Sequence, residues 1–283
     1  MIKVYVDSGS SIKQTEKDKL NVEIMPLKII FENKEYLDGI NLSFEEFYYK
    51  LINEKKFPKT SLPNANDFID EINTTTNNGD DVIIFTISSK ISGTYNYLRL
   101  TFDDNPKVHV IDSLSAVGGI RILVNEVNKY RNENIDIVLD KINNLIPKIK
   151  ILAIPEVLTY LQRGGRLSKV GFIVGTIAHI KPIITFKEGA VSIHSKVRGL
   201  KHAMKELVHL LSETNCDPNY PIVPSYTYSD DNLKEVISML PEAYQSSLTE
   251  FDNLDPAIAA HWGPNAFGYI FVAKEQYILQ INK

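Results

Sequence analysis

In the first half of the chain, short apolar runs alternate with segments whose apolar residues recur every three or four positions. The runs at residues 4–6, 28–31, 82–87 and 107–111 predict strands. The run at 82–87 is continuous and rich in β-branched residues, which is typical of a strand buried on both faces. Because helical segments separate these strands, the pattern predicts right-handed crossovers and a mostly parallel sheet flanked by helices.

The apolar periodicity predicts four helices in this half. Ser43 begins the first, and Glu46 follows it at the spacing of a capping box. Asn64 begins the second. The other two are predicted at residues 115–130 and 135–149.

The second half of the chain predicts a different arrangement. Residues 180–186 and 190–196 flank a turn that contains Gly189, which is the signal of a β-hairpin. Helices are predicted at 200–211 and 231–240, and strands at 222–228, 247–251 and 268–273. This order indicates an α+β domain with a mixed or antiparallel sheet.

Together the two halves predict an α/β protein of two domains. The 283 residues suffice for two domains of ordinary size. We expect an N-terminal α/β domain at residues 1–150 and a C-terminal α+β domain at residues 151–283.

Composition and charge narrow the range of functions that the protein can have. The net charge of −4 offers nucleic acid no general attraction, so we expect no nucleic-acid partner. The single cysteine, Cys216, excludes an intramolecular disulfide and suits a reducing compartment. The N-terminus lacks the features of a signal peptide, and the longest apolar stretch, residues 171–180, is too short to cross a bilayer. These features predict a cytoplasmic protein.

A hydroxyl-rich segment, Ser88-Ser89-Lys90-Ile91-Ser92-Gly93-Thr94-Tyr95, directly follows the run at 82–87. Open parallel sheets bind ligands just beyond the carboxyl ends of their strands. The hydroxyls, with the N–H groups of a helix that begins near Ser92, would suit an anion. Alternatively, Ser89 or Ser92 only caps that helix. The residues alone leave both interpretations open.

Three other polar segments are candidates for a site. Asp7-Ser8-Gly9-Ser10-Ser11 has Gly9 where phosphoryl-transfer enzymes with an aspartate nucleophile have a second aspartate, so we predict a turn that lines the domain interface. Thr60-Ser61-Leu62-Pro63 precedes the predicted cap at Asn64. Arg163-Gly164-Gly165-Arg166 ends a short helix, and its arginines either bind an anion or form a solvated loop.

Basic residues concentrate around this last segment although the chain is acidic overall. Arg163, Arg166, Lys169 and Arg198 would form one positive patch if the predicted hairpin lies close by. Such a patch would attract an acidic protein partner or, transiently, a membrane surface.

The sequence contains few signatures of catalysis. Its six histidines form no Cys/His cluster and no His-Glu-x-x-His motif, so we expect no metal. It has no P-loop, no Gly-x-Ser-x-Gly motif and no helix-turn-helix signal. A hydrolase or phosphotransferase that uses Ser89 or Ser92 is the alternative to a binding protein.

The order and spacing of four motifs resemble the DegV family of bacterial fatty-acid-binding proteins. Two are the segments at 60–63 and 88–95, and the others are Tyr160-Leu161-Gln162-Arg163-Gly164-Gly165-Arg166 and His261-Trp262-Gly263-Pro264. The resemblance extends from end to end and implies two α/β domains with a lipid site between them.

The resemblance also implies roles for individual residues. The fatty acid carboxylate would be bound by Thr60, Ser92 and His261. Further residues near the ligand would be Ser61, Gly93, Thr94 and Arg166.

Three positions depart from the family pattern. Leu62 replaces a residue that is often polar, and Trp262 replaces a small hydroxyl residue. Asn265 replaces a glycine, but asparagine tolerates left-handed conformations, so we expect the backbone to be kept there.

The implied function is that of a carrier and not of an enzyme, with no catalytic residue and no cofactor. Each buried CH₂ contributes roughly 0.8 kcal/mol, so a long-chain fatty acid needs no covalent link. The implied partner is an ATP-dependent fatty acid kinase, which converts the bound carboxyl group to an acyl-phosphate for phospholipid synthesis. We assign the kinase contact to Arg163, Arg166, Lys169 and Arg198.

Overall fold

The computed structural model describes residues 1–167 and 179–275. Its contacts divide the chain into two compact units. Unit 1 contains Met1–Ile146 and Asp255–Ala260, and unit 2 contains the described residues of Pro147–Leu254 and His261–Lys283. The predicted domain limits at residues 150 and 151, and the lipid site between the domains, remain predictions.

The strands of the described residues are as follows. They are β1 Ile2–Asp7, β2 Val22–Met25, β3 Lys28–Phe31, β4 Lys34–Leu37, β5 Lys59–Ser61, β6 Asp81–Thr86, β7 Val108–Asp112, β8 Ile149–Ile154, β9 Ile180–Lys187, β10 Ala190–Arg198, β11 Val223–Tyr226, β12 Asp252–Asn253 and β13 Phe267–Val272.

The α-helices are named in the same way. They are α1 Lys17–Leu20, α2 Phe44–Tyr48, α3 Ile69–Asn77, α4 Thr94–Thr101, α5 Gly118–Lys129, α6 Ile135–Leu145, α7 Thr159–Arg163, α8 Leu200–Glu213, α9 Asp231–Ser238, α10 Glu242–Gln245 and α11 Pro256–Trp262.

Unit 1 contains a parallel four-stranded sheet in the order β2-β1-β6-β7. Helices connect its strands, as predicted for a parallel sheet. The last five residues of β6 are all buried, which confirms the prediction from the continuous apolar run. The strand predicted at 28–31 lies elsewhere, in an antiparallel sheet in the order β4-β3-β5.

The first predicted helix begins where the sequence indicated, and the second does not. Ser43 Oγ accepts a hydrogen bond from Glu46 N at 3.1 Å, so Ser43 caps α2 as expected. Asn64 instead caps a 3₁₀ turn, Ala65–Asp67, and α3 begins later, at Ile69.

Unit 2 contains a mixed six-stranded sheet in the order β10-β9-β8-β13-β11-β12. All neighbours are antiparallel except β11 and β12. Helices α8 and α9 contribute Met204, Leu207 and Val236 to the core that covers one face. The predicted α+β arrangement is thus confirmed.

The prediction of a strand at 247–251 is wrong. Leu248 makes only an isolated parallel bridge to Ile222, and β12 begins later, at Asp252. Ile222 N donates to Ser247 O at 2.8 Å, and Leu254 N donates to Tyr226 O at 2.9 Å. Pro224 lies between these two contacts and has no N–H to donate, so the ladder is interrupted there.

The helix predicted at 135–149 is too long. Helix α6 ends at Leu145, and a 3₁₀ turn, Ile146–Lys148, leads into β8. Pro147 cannot donate a helical hydrogen bond, which accounts for the end of the helix at this point. Strand β8 was not predicted because the helical pattern was extended across its start.

The segment Asp255–Ala260 returns to unit 1 and is held there by polar contacts. Asp38 Oδ1 accepts from Ala257 N at 3.0 Å, and Lys13 Nζ lies 2.7 Å from Asp255 Oδ1. Ser8 Oγ donates to Asp38 Oδ2 at 2.7 Å. These contacts fix the first turn of α11, the helix whose last two residues are His261 and Trp262.

Candidate ligand-binding site

The loops that follow β6 and β7 meet at the carboxyl edge of the parallel sheet. Ser88 N donates to Ser115 O at 2.8 Å, and Ser89 N donates to Asp112 Oδ1 at 3.0 Å. The segment 88–94 therefore lies at the edge where open parallel sheets bind their ligands.

Ser92 has a local structural role that is compatible with ligand binding. Helix α4 begins at Thr94, and its N-cap position is Gly93, which has no side chain. Ser92 Oγ accepts from Thr94 N at 3.3 Å and lies 2.8 Å from Thr94 Oγ1. A hydroxyl has one donor and two acceptor positions, so Ser92 can serve the helix start and still bind an anion.

The Thr60 segment lies beside the Ser92 segment in unit 1. A β-carbon placed on Gly93 would lie 3.6 Å from Leu62 Cδ2. Ala65 N donates to the Tyr97 hydroxyl at 3.3 Å, which ties the 3₁₀ turn before α3 to α4. Two of the four motifs are thus adjacent, and Leu62 gives this part of the site an apolar side chain. Thr60 itself is half-buried in β5 and Ser61 is exposed.

Asp7 connects the ends of two strands. It is fully buried, and its two oxygens accept hydrogen bonds from Gly9 N and Ile87 N, each at 2.9 Å. Burial raises the pKa of Asp7 to about 7, although both hydrogen bonds favour the charged form. The predicted turn is present as a 3₁₀ turn at Ser8–Ser10. Its location at a domain interface remains a prediction.

In unit 2, His261 packs against Gly164, the first of the two glycines that follow α7. A β-carbon on Gly164 would lie 2.3 Å from His261 Nδ1, so only glycine fits without displacing the imidazole. Burial, and then the charge of Arg166, lower the pKa of His261 to about 4. The imidazole is therefore neutral at neutral pH and has one N–H donor.

The predicted basic residues occupy different environments. Arg163 is exposed, whereas Arg166 is half-buried and donates to Gly164 O. Burial lowers the pKa of Arg166, but a guanidinium remains charged in proteins. Arg198 is exposed at the end of β10, opposite Ile180 of β9. Lys169 lies outside the described residues.

The segment after His261 depends on two left-handed positions. Gly263 has φ +74°, and a β-carbon there would lie 2.2 Å from Tyr160 Cδ2. Asn265 has φ 58°, so it adopts the conformation for which asparagine was expected to substitute for glycine. Asn265 Nδ2 also donates to Glu156 Oε2 at 2.7 Å.

Thr227 was not identified from the sequence, although it anchors the same segment. Its Oγ1 donates to Gly263 O at 2.7 Å and accepts from Ala266 N at 2.9 Å. A lone threonine at the end of a predicted strand gives no local signal of this role, because its partners lie 36 and 39 residues away.

Metal-binding clusters and membrane-spanning helices both bear on the class of site. In residues 1–167 and 179–275, no group of three or more His, Cys, Asp or Glu side chains could hold a metal ion. Within the same ranges, no helix has the length and apolar character needed to span a membrane.

The sequence model described as "Uncharacterised protein, DegV family" matches residues 1–274. The chain belongs to the DegV family. A DegV domain-containing protein of Clostridium acetobutylicum is 32% identical over 284 residues, which cover 96% of this chain and 99% of the relative. One from Caldanaerobacter subterraneus is 30% identical over 278 residues, with 96% and 99% covered.

Solved structures of DegV proteins share the fold. A fatty acid binding DegV family protein of Streptococcus agalactiae superposes with a TM-score of 0.87 at 25% identity, covering 97% of this chain and 99% of that one. A DegV family protein of Thermus thermophilus, described by its fatty acid binding, has a TM-score of 0.84 at 25% identity and covers 96% and 99%. The two-domain α/β fold is therefore that of DegV proteins.

Proposed function

We propose that this DegV protein binds a long-chain fatty acid noncovalently and that Thr60, Ser92 and His261 bind its carboxyl group. One observation supports a fatty acid as the ligand: the structure resembles two DegV proteins described as fatty acid binding, over at least 96% of the chain. A buried carboxyl group must be hydrogen-bonded, and two hydroxyls with a neutral imidazole are suitable donors.

The geometry supports binding more than catalysis. Ser92 Oγ lies 2.8 Å from another hydroxyl, that of Thr94, and a neighbouring hydroxyl is not a general base. Ser89 contacts Asp112 through its backbone N–H, and this contact does not activate the Ser89 hydroxyl as a nucleophile. A hydrolase or phosphotransferase mechanism that uses either serine therefore has no support from these contacts.

The direct test is to identify the lipid that the protein retains. Protein purified from bacteria should show, by native mass spectrometry and after organic extraction, one fatty acid per chain. Delipidated protein should also bind a fluorescent fatty acid. Apo protein that fails to bind this probe would overturn the proposal.

We further propose that the protein presents the bound carboxyl group to an ATP-dependent fatty acid kinase. A carboxylate oxygen would attack the γ-phosphorus of ATP, forming the acyl-phosphate and releasing ADP, and the carrier itself would break no bond. The exposed Arg163 and Arg198, with Arg166 and Lys169, would form the kinase contact. The rate of this step would be measured by trapping the acyl-phosphate with hydroxylamine and by following the release of ADP. The acyl-phosphate would then be used for phospholipid synthesis.

A further inference from the structure

The loop after β7 contains a buried hydroxyl that the proposed site does not use. Ser115 is 3% exposed, and among residues 1–167 and 179–275 no atom hydrogen-bonds its Oγ. Its neighbour Ser113 is equally buried but partnered: Ser113 Oγ accepts from Ser115 N at 3.1 Å and donates to Ser115 O at 3.2 Å.

Ser115 lies next to the segment proposed to bind the ligand. Its carbonyl oxygen accepts from Ser88 N at 2.8 Å, and Ser88 O accepts from Ser92 N at 3.1 Å. Two hydrogen bonds thus connect the backbones of Ser115 and Ser92 at the carboxyl edge of the sheet.

The backbone around Ser115 is held in an unfavourable conformation. Leu114 has φ 47°, and Val117 has φ 45° and ψ −128°, which is a genuine outlier for a β-branched residue. Leu114 N donates to Asp112 Oδ1 at 3.0 Å and Val117 N donates to Gly9 O at 2.8 Å, so the end of β7 and the turn after β1 hold this conformation. Strain that the surroundings impose occurs preferentially at ligand sites.

A buried hydroxyl without a partner destabilises the protein, and alanine at this position would avoid that cost. A ligand group that accepts a hydrogen bond from Ser115 Oγ would explain why this position has a buried hydroxyl. It would also explain why the loop that positions the hydroxyl is strained. A carboxylate has about four lone-pair sites, so it can accept a further donor besides Thr60, Ser92 and His261.

We propose that Ser115 Oγ donates a hydrogen bond to the carboxyl group of the bound fatty acid, which makes Ser115 a fourth ligand-binding residue. This inference rests on the proposed fatty acid binding. It predicts opposite changes in two properties of Ser115→Ala. The fatty acid affinity falls by about tenfold, since a hydrogen bond to a charged group is lost, while the apo protein becomes no less stable.

Ser113→Ala is the matched control, because it removes a buried hydroxyl from the same loop that already has protein partners. We expect Ser113→Ala to lower the midpoint of thermal unfolding and to reduce affinity less than Ser115→Ala does. Delipidated wild type and both variants would be titrated with a fluorescent fatty acid. If wild type binds and Ser115→Ala binds equally well, the inference is wrong and fatty acid binding stands. If wild type does not bind, the proposed function itself fails.

A second measurement does not depend on stability. With fatty acid labelled with carbon-13 at its carboxyl group, the pH dependence of the carboxyl resonance gives the pKa of the bound ligand. Loss of a donor to the charged form should raise that pKa in Ser115→Ala. Ser115→Cys offers only a weak donor and should give an intermediate value. An unchanged pKa in both variants would overturn the proposal.

Discussion

The imidazole of His261 and the backbone of Gly164 are in such close contact that a β-carbon at position 164 would lie 2.3 Å from His261 Nδ1. Gly164 has φ −69° and ψ −13°, a conformation that alanine adopts without strain. Gly164 is therefore needed for space, not for backbone freedom. The neighbouring Gly165 shows the reverse, with φ +70° and, among the residues that the structure describes, no atom within 4 Å of its missing β-carbon.

This contrast predicts different effects of two alanine substitutions. Gly164→Ala should displace His261 and weaken fatty acid binding by about tenfold, the effect of losing one hydrogen bond to a charged group. Gly165→Ala should cost about 1 kcal/mol of stability through its left-handed backbone and leave affinity near wild type. Fluorescent fatty acid titration and thermal unfolding of both variants would check this. Equal affinities would indicate that His261 does not bind the ligand.

Substitution of Ser92 should separate its two roles. Ser92→Ala and Thr60→Val should each weaken binding by about tenfold or more, because each removes a hydrogen bond to a charged group. Ser89→Ala is the control, since the contact of Ser89 with Asp112 comes from its backbone N–H. Circular dichroism should not change. A Ser92→Ala protein that is less stable but binds normally would assign Ser92 to the helix start alone.

The lowered pKa of His261 predicts that the protein loses stability in acid. Burial and the charge of Arg166 lower its pKa to about 4, so the folded state disfavours the protonated imidazole. The unfolded chain binds that proton with a pKa of about 6.5, and therefore the free energy of unfolding should fall as the pH decreases from about 6.5 to about 4.

Urea unfolding across this range would measure the effect. His261→Gln keeps an amide donor and should lose part of the pH dependence while retaining more affinity than His261→Ala. An NMR titration that gives His261 a pKa near 6.5 in the folded protein would contradict the neutral-donor role.

Several elements could be predicted from the sequence because they depend on local patterns. The run at 82–87 is short, almost entirely apolar and rich in β-branched residues, which is typical of a strand covered on both faces, so β6 was predictable. The hairpin of β9 and β10 was predictable for a similar reason, since Gly189 provides its turn with φ +82°.

The contacts that build the site could not be read in this way. Gly164 and His261 are 97 positions apart in the sequence, and Leu62 approaches Gly93 from a different strand connection. The return of Asp255–Ala260 to unit 1 depends on Asp38, whose carboxylate caps a helix far along the chain. Without the family resemblance, the residues left Ser92 open between capping and ligand binding.

The raised pKa of Asp38 predicts a loss of stability as the pH rises from about 4 through neutrality. It is fully buried, and burial, followed by the charge of Asp255, raises its pKa above the ordinary value. Lys13 opposes the shift of Asp38, and Glu16 and Arg121 also act on Asp255. Because the folded state retains the proton, the free energy of unfolding should decrease as the pH rises above about 4 and through neutrality.

Asp38→Asn should flatten this dependence, since the amide oxygen can still accept from Ala257 N and no charge is buried. One titrating group changes the free energy of unfolding by at most ~1.4 kcal/mol per pH unit, so the substitution can remove no more than this slope. Asp136→Asn, at the exposed start of α6, is the control and should keep the wild-type slope. Parallel slopes for Asp38→Asn and wild type would mean that Asp38 is ionised in the folded protein throughout.

Charge reversal should distinguish the kinase contact from the ligand site. Arg163→Glu and Arg198→Glu alter exposed residues, so they should reduce the rate of acyl-phosphate formation and its salt dependence without changing fatty acid affinity. Arg166→Glu should impair both, because Arg166 is half-buried and its charge acts on His261. Lys187→Glu is the matched control: it makes the same change of charge in an exposed residue at the opposite end of the β9–β10 hairpin.

The kinase assay would use fatty-acid-loaded protein, with each variant checked by thermal unfolding and by native mass spectrometry. Stable, loaded Arg198→Glu protein that the kinase phosphorylates poorly would support the contact. If Arg198→Glu and Lys187→Glu reduce turnover equally, the basic residues act only through overall charge. If Arg163→Glu instead loses its ligand and unfolds early, the turn after α7 belongs to the structure of the site and not to the surface that the kinase recognises.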